Sequence, residues 1–110
     1  MKELLLSKYC LAYVTTSGKD EARSIARELV ESKLVACVNI FDNIESHFIW
    51  KEKLCSENET IFFAKMPSEN YHRFEEKVSE LHSYDNPCIL KLDITNGKQT
   101  FLSWVTKATN

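Results

Sequence analysis

Hydrophobic and polar positions repeat with two different periods along this 110-residue chain. Residues 9–16, YCLAYVTT, are rich in β-branched and aromatic residues and predict a first strand. In the following KDEARSIARELVES the apolar residues fall at i, i+3, i+4, i+7 and i+8, which predicts an amphipathic helix. Ser17 or Asp20 is expected to cap the start of that helix. Residues 34–41, LVACVNIF, are apolar almost throughout and predict a strand that is covered on both faces.

The middle of the chain predicts a continuation of this strand and one further strand. Asp42-Asn43 supplies turn chemistry, after which residues 46–50, SHFIW, resume a strand. Residues 58–66, NETIFFAKM, give the next strand.

A second helix and a final strand follow. Pro67-Ser68 predicts a helix start, because proline is tolerated in the first turn and serine can cap. The apolar face of this helix is expected to comprise Tyr71, Phe74, Val78 and Leu81. Residues 88–95, CILKLDIT, alternate as a half-buried strand, and residues 98–107 predict a C-terminal helix. The order β-α-β-β-α-β plus a helix predicts an α+β, ferredoxin-like fold forming a single domain over residues 1–110.

A sheet of this kind carries both helices on one face, so its second face needs another cover. Residues 34–40 and 61–64 are apolar on both faces, and the chain is too short to supply a further layer. Large exposed apolar patches are rare on soluble monomers. We therefore expect self-association.

Composition and charge exclude several classes of function. The formal net charge is −2 and the basic residues are scattered among acids, which argues against nucleic-acid binding. Two glycines leave no room for a glycine-rich phosphate loop. No apolar run approaches the roughly 20 residues of a membrane span. The N-terminal residues, MKELLLSK, are interpreted as an arm that enters the first strand.

The four cysteines are Cys10, Cys37, Cys55 and Cys88, and no two of them form a CxxC pair. Three lie in apolar runs, where a reduced thiol acts as a small hydrophobe, and Cys55 is expected to be exposed. Reduced thiols favour a cytoplasmic location.

Five motifs in this order, ARELVESKLVACVNI, SHFIW, ENETIFFAKM, HSYDNP and FLSW, resemble the CutA family of divalent-cation tolerance proteins. The resemblance extends over residues 12–105. It implies a ferredoxin-like fold with a long β-hairpin and an extra C-terminal helix, assembled as a PII-like homotrimer in which hairpins lie against neighbouring subunits. It also implies a role in tolerance of copper and other divalent ions. It implies no enzymatic reaction and no required cofactor, with Cu²⁺ or another divalent ion as a candidate ligand.

The resemblance also suggests site residues. Its metal candidates are His82, Cys37 and Asp85, since imidazole and thiolate suit copper and zinc. Its candidates for an intersubunit ligand cleft are Glu59, Lys65, Tyr84, Trp50 and Trp104. For each residue taken alone, a structural role is the favoured interpretation. Six strand positions separate Glu59 from Lys65, about 20 Å, so they are expected to meet only across chains or to contact His82 or Tyr84 at an interface.

The chain departs from the family pattern in places. Ser83 stands where proline is usual, and Asp85 stands where glutamate is usual. Asn43 and Glu52 occupy hairpin positions where glycine is common. Because glutamate tolerates positive φ poorly, the turn near Glu52 is expected to differ.

Three functions remain open from the sequence. The first is a trimeric module that binds metal or a small ligand between subunits. The second is an enzyme with His82 as general base, oriented by Tyr84 or Asp85, although no nucleophile or cofactor motif accompanies it. The third is a scaffold for a partner protein.

Overall fold

The computed structural model describes residues 7–110, so most of the predicted N-terminal arm lies outside the described residues. Within that range the chain forms four strands and three α-helices, in the predicted order. They are β1 Tyr9–Thr16, α1 Lys19–Glu31, β2 Cys37–Trp50, β3 Lys53–Pro67, α2 Tyr71–Leu81, β4 Ile89–Ile94 and α3 Gln99–Ala108. A short 3₁₀ turn, Ser68–Asn70, precedes α2. The ferredoxin-like prediction is confirmed. In residues 7–110 no helix is long and apolar enough to cross a membrane.

The sheet is antiparallel with strand order β2-β3-β1-β4. Because successive side chains of a strand point to opposite faces, β1 and β3 each divide into two sets. The even-numbered set of β1 and β3 packs against α1 and α2 and forms the core. The largest side chains of that core are Phe62, Phe74, Ile25, Leu29 and Met66.

The odd-numbered positions of β1 and β3, with their cross-strand partners, form the opposite face of the sheet, which we call the open face. Cross-strand pairs assign to it Leu11, Tyr13, Phe41, Ile61, Phe63, Leu90 and Leu92. Helix α3 covers one end of this face, where the Tyr9 hydroxyl meets that of Thr106. Away from α3, Phe41 is 50% exposed and Leu90 is 55% exposed. Residues 7–110 of one chain therefore do not cover residues 34–41 on both faces by themselves, and the predicted cover by self-association stays a prediction.

The hairpin is longer and more continuous than predicted. Asp42-Asn43 does not form a turn; it is a β-bulge in an unbroken β2, between the pairs Phe41–Ile61 and Ile44–Glu59. Asn43 takes up the bend at φ 60°, a conformation that asparagine tolerates. Glu52 adopts a positive φ despite its side chain, and whether the turn differs from that of the family stays a prediction. Lys51 and Glu52 form a two-residue turn with φ values of 51° and 66°, both in the left-handed region, as hairpin geometry requires.

Neither predicted helix cap forms. The residue before α1 is Gly18, and neither Ser17 nor Asp20 makes a side-chain cap. Instead, Glu21 accepts hydrogen bonds from Ser17, at the end of the preceding strand. Ser68 starts the 3₁₀ turn without capping it, and its buried Oγ lacks a partner in the described chain.

Other boundaries shift by a few residues. Strand β2 begins at Cys37, three residues later than predicted, because Leu34 to Ala36 form a buried connection. Strand β3 begins at Lys53, five residues early, because pairing with β2 continues to the turn. Leu81 closes α2 but is 38% exposed.

Candidate functional site

The loop after α2 packs its first residue, His82, beneath the end of β1. The His82 side chain is fully buried, and its Nε2 lies 2.7 Å from the carbonyl oxygen of Thr15. Its Nδ1 accepts a 3.1 Å hydrogen bond from the backbone N–H of Tyr84. Nε2 must therefore carry the proton, because Nδ1 is the acceptor. Both ring nitrogens are occupied by backbone groups, so the imidazole binds the loop to the sheet.

Glu21, in the first turn of α1, connects this loop to the start of the helix. Its Oε1 accepts hydrogen bonds from the backbone N–H and hydroxyl of Ser17, at 3.0 and 2.9 Å. Its Oε2 accepts a 2.7 Å hydrogen bond from the backbone N–H of Ser83 and lies 3.8 Å from His82 Nδ1. Burial raises the pKa of Glu21, but the hydrogen bonds from Ser17 and Ser83 outweigh it and lower that pKa to about 2.

Tyr84 lies over His82 and connects the loop to β3. The two rings are 4.8 Å apart between centroids, and the Tyr84 hydroxyl donates a 2.7 Å hydrogen bond to Glu59 Oε2. Glu59 therefore contacts Tyr84, one of its predicted partners, within a single chain and not across a subunit interface. Burial, followed by the hydrogen bond and charge of Glu59, raises the pKa of Tyr84 well above its usual range.

Two further ionisable groups lie within electrostatic reach of Glu59. Burial, followed by the charges of Cys88 and Glu59, raises the pKa of Tyr13. Burial and then Glu59 raise the pKa of the Cys88 thiol. We call Glu59, Tyr84, Tyr13 and Cys88 the Glu59 cluster. Within this cluster Tyr84 contacts Glu59 directly, whereas Tyr13 and Cys88 are within reach of its charge.

The three predicted metal ligands occupy different environments. His82 is buried as described, Asp85 is exposed on the loop after it, and Cys37 at the start of β2 is half-buried rather than buried. In residues 7–110 no group of three histidine, cysteine, aspartate or glutamate side chains is placed to hold a metal ion. One chain therefore does not assemble these candidates into a metal centre.

Lys65 and Trp104 lie at the end of the open face covered by α3. The Lys65 ammonium group is 5.5 Å from the centroid of the Phe101 ring, within cation–π range. The Phe101 ring is in turn 5.5 Å from that of Trp104, which is 44% exposed. Lys65 thus contacts α3 and lies about 20 Å along β3 from Glu59.

Trp50 lies at the far tip of the hairpin. It pairs with Lys53, and twelve strand positions, about 40 Å, separate Lys53 from Lys65. Within one chain Trp50 and Trp104 therefore cannot form one aromatic wall. The predicted cleft residues occupy three places: the hairpin tip, the Glu59 cluster and the α3 end.

Sequence reasoning missed Glu21, Tyr13 and Cys88 as site residues. The role of Glu21 could have been predicted from the sequence, since a glutamate shortly after a serine at a helix start commonly accepts hydrogen bonds from backbone N–H groups. Tyr13 and Cys88 carried no such signal, because only the pairing of β1 with β3 on one side and with β4 on the other brings these parts of the chain near Glu59. Cys55, expected to be exposed, is half-buried, and its Sγ lies 3.6 Å from the Lys53 carbonyl oxygen.

Known proteins match this chain in both sequence and structure. The family model for CutA1 divalent ion tolerance protein matches residues 10–108. The divalent-cation tolerance protein CutA of Archaeoglobus fulgidus is 40% identical over 93 residues, which cover 84% of this chain and 90% of that protein. The chloroplastic protein CutA of Arabidopsis thaliana is 33% identical over 90% of this chain, which spans 54% of that longer protein.

Solved structures agree. The CutA1 divalent ion tolerance protein of Ehrlichia chaffeensis superimposes with a TM-score of 0.91 at 33% identity, covering 94% of this chain and 97% of that one. The periplasmic divalent cation tolerance protein CutA of Archaeoglobus fulgidus gives a TM-score of 0.90 at 36% identity, covering 93% and 99%. Sequence and fold lead to the same conclusion: this chain belongs to the CutA family of divalent-cation tolerance proteins.

Proposed function

We propose that the protein is a homotrimer that binds a divalent metal ion, copper foremost, or a small ligand in clefts between subunits. Its activity in this proposal is binding, without turnover. The observation that carries the proposal is the open face, where Phe41, Leu90 and Leu92 are each about half exposed beside the buried Ile61. Burying such an apolar surface is favourable by roughly 25 cal/mol per Å². A second copy of the chain carries the same apolar face and can therefore cover it.

The hairpin offers a second surface for assembly. Ile49 and Leu54 form a cross-strand pair near the tip and are 65% and 78% exposed. A β-hairpin of this length projects beyond the core of its own subunit. Contact with a neighbouring subunit would remove these side chains from water.

A shared cleft suits the distribution of the metal candidates. Asp85 is exposed and Cys37 is half-buried, whereas both nitrogens of His82 are engaged. Since residues 7–110 of one chain do not bring three ligands together, a bound ion would take ligands from more than one subunit. Metal binding at His82 would require the loop to release the Tyr84 N–H.

The same geometry argues against the enzyme alternative. A general base needs an accessible lone pair, and the free lone pair of His82, on Nδ1, is already used by Tyr84. A reducing, cytoplasmic setting is part of the proposal because all four cysteines are free thiols.

Copper titration by calorimetry, after sizing by light scattering, tests this function. The variants are Cys37→Ser, Asp85→Asn and His82→Ala, with His72→Ala on the exposed side of α2 as the control. We expect a trimer with saturable binding that is weakened by at least one site variant and retained by the control. A trimer that binds no metal would favour the scaffold alternative, and a monomer would exclude both.

A further inference from the structure

Asn96 and Gly97 form the one asparagine–glycine pair of the chain, in the link between β4 and α3. This link, residues 95–98, has no regular secondary structure, and both residues of the pair are exposed to water. Within residues 7–110 the Gly97 N–H has no backbone acceptor. The Asn96 amide can therefore turn towards the Gly97 nitrogen without breaking a helix or ladder hydrogen bond.

An asparagine amide can be attacked by the backbone nitrogen of the residue that follows it. Here the Gly97 nitrogen loses its proton to a base and bonds to Cγ of Asn96, while the Cγ–Nδ2 bond breaks and ammonia leaves. Water then opens the resulting five-membered succinimide at either carbonyl carbon, which yields aspartate or isoaspartate. Water is the only co-reactant. Glycine favours the attack most, because it has no Cβ to obstruct the nitrogen and its backbone rotates most freely.

Three other asparagines lack one of these conditions. Asn39 is exposed, but it lies in the paired strand β2. Asn70 is buried, and its side chain donates a hydrogen bond to a backbone carbonyl. Asn86 precedes Pro87, whose nitrogen has no proton to lose and cannot attack. Exposure, irregular backbone and a following glycine coincide at Asn96.

The link that holds Asn96 sets the position of α3, which covers one end of the open face. Gly97 packs against this helix, since a Cβ added to Gly97 would lie 3.2 Å from Cδ1 of Leu102. Isoaspartate adds one carbon to the main chain, so its formation lengthens the link and shifts Gly97 relative to Leu102. Aspartate keeps the length and adds only a negative charge ahead of the helix, where the helix dipole favours it.

We propose that Asn96 is a site of spontaneous deamidation and that its isoaspartyl product loosens α3 from the open face. The chain supplies both the nucleophile and the carbonyl carbon that it attacks. This inference goes beyond the proposed function and does not depend on which metal ion or ligand the protein binds.

The test is ageing of the full-length protein at neutral and at mildly alkaline pH in heavy-oxygen water, followed by peptide mass spectrometry. Conversion at Asn96 takes up solvent oxygen, and an isoaspartyl methyltransferase labels the isoaspartate. Asn96→Gln keeps a neutral amide, but its longer side chain closes a ring much less readily. Gly97→Ala places a Cβ beside the nucleophile. Gly18→Ala is the matched glycine control, because a Cβ at Gly18 would meet nothing within 4 Å.

We expect conversion in the wild type and in Gly18→Ala, faster at the higher pH because the Gly97 nitrogen attacks after losing its proton. Gly97→Ala should convert about tenfold more slowly, which corresponds to roughly 1.4 kcal/mol in the barrier. Asn96→Gln should form no product at this position. The proposal is overturned if Asn96 keeps its amide in the aged wild type, or if Gly97→Ala ages as fast as Gly18→Ala.

Hydrogen exchange measures the effect on α3. Aged wild type enriched in isoaspartate should exchange the amides of α3 several-fold faster than fresh protein, whereas Asn96→Gln aged in parallel should not. Asn96→Asp carries the charge without the extra carbon and should exchange like fresh wild type. Equal exchange in aged and fresh wild type, or faster exchange in Asn96→Asp as well, would overturn the assignment of a loosened α3 to isoaspartate.

Discussion

The backbone N–H of Ser83 donates a 2.7 Å hydrogen bond to Oε2 of Glu21. This contact joins the loop after α2 to the first turn of α1. Because His82 and Tyr84 flank Ser83, the Glu21 carboxylate helps to fix the loop that carries the Tyr84 hydroxyl to Glu59. A proline at position 83, which is usual in the family, would have no N–H to donate to Glu21.

Glu21 makes the stability of the protein depend on acid pH. Its pKa is lowered from 4.5 to about 2 in the folded state, so the ionised form stabilises the fold above pH 4.5. That stabilisation, about 3 kcal/mol, is lost as the pH falls from about 4.5 towards 2. The Glu21→Gln variant should lack this part of the pH dependence. Urea unfolding at several pH values, at one fixed protein concentration, measures it.

Other carboxylates also titrate in this range, so a control is required. Asp20→Asn changes the neighbouring residue in the first turn of α1, where Asp20 is exposed. It should keep the acid dependence of the wild type. Equal acid dependence in the wild type and Glu21→Gln would contradict the assignment.

Ser83→Pro tests the hydrogen bond itself. Proline removes the donor to Glu21, and His82 before it already has the extended conformation that proline favours, at φ −80° and ψ 143°. The lost charged hydrogen bond should cost about 2 kcal/mol, partly offset by the lower entropy of the unfolded chain. We expect a net loss of about 1 kcal/mol in chemical unfolding. Ser83→Ala keeps the N–H and should be nearly neutral; a proline variant as stable as the alanine variant would refute the explanation.

Most of the fold could be predicted because the periodic signals are local. The spacing of Ala22, Ile25 and Leu29 predicted α1, and the apolar run around Phe62 predicted the buried part of β3. The bulge at Asn43 was misread because Asp-Asn suits a turn and a bulge equally. The Lys51–Glu52 turn carries none of the usual asparagine or glycine signals, and only the pairing of the flanking strands holds it at positive φ.

The candidate site was less predictable, because its contacts are tertiary. The residue type of His82 suits a metal, a proton or a structural hydrogen bond, and only the positions of Thr15 and Tyr84 decide between them. Glu59 and Tyr84 are 25 residues apart in the chain, and no periodic pattern indicates that they meet.

His82→Ala should destabilise the protein by about 2–4 kcal/mol, because it leaves a cavity and two buried backbone groups without partners. Thr15 O and Tyr84 N–H are those groups. Chemical unfolding measures the loss, with His47→Ala on the exposed hairpin as control. A change within about 0.5 kcal/mol would show that the imidazole does not hold the loop to the sheet.

A charge placed on the open face should prevent assembly. Leu90→Glu puts a carboxylate on β4 at a position where a neighbouring subunit would bury it without a partner. Val30→Glu is the control, since Val30 is 42% exposed on α1, away from this face. Size-exclusion chromatography with light scattering should show smaller species for Leu90→Glu only; assembly of both variants would locate the interface elsewhere.

In the proposed assembly, copies of this chain cover the open face of the sheet. Sedimentation equilibrium of the wild type at micromolar concentration measures whether they do. We expect a single folded species of about 38 kDa, three times the 12.8 kDa chain. A well-folded species of 12.8 kDa, with Phe41 and Leu90 left in water, would contradict it.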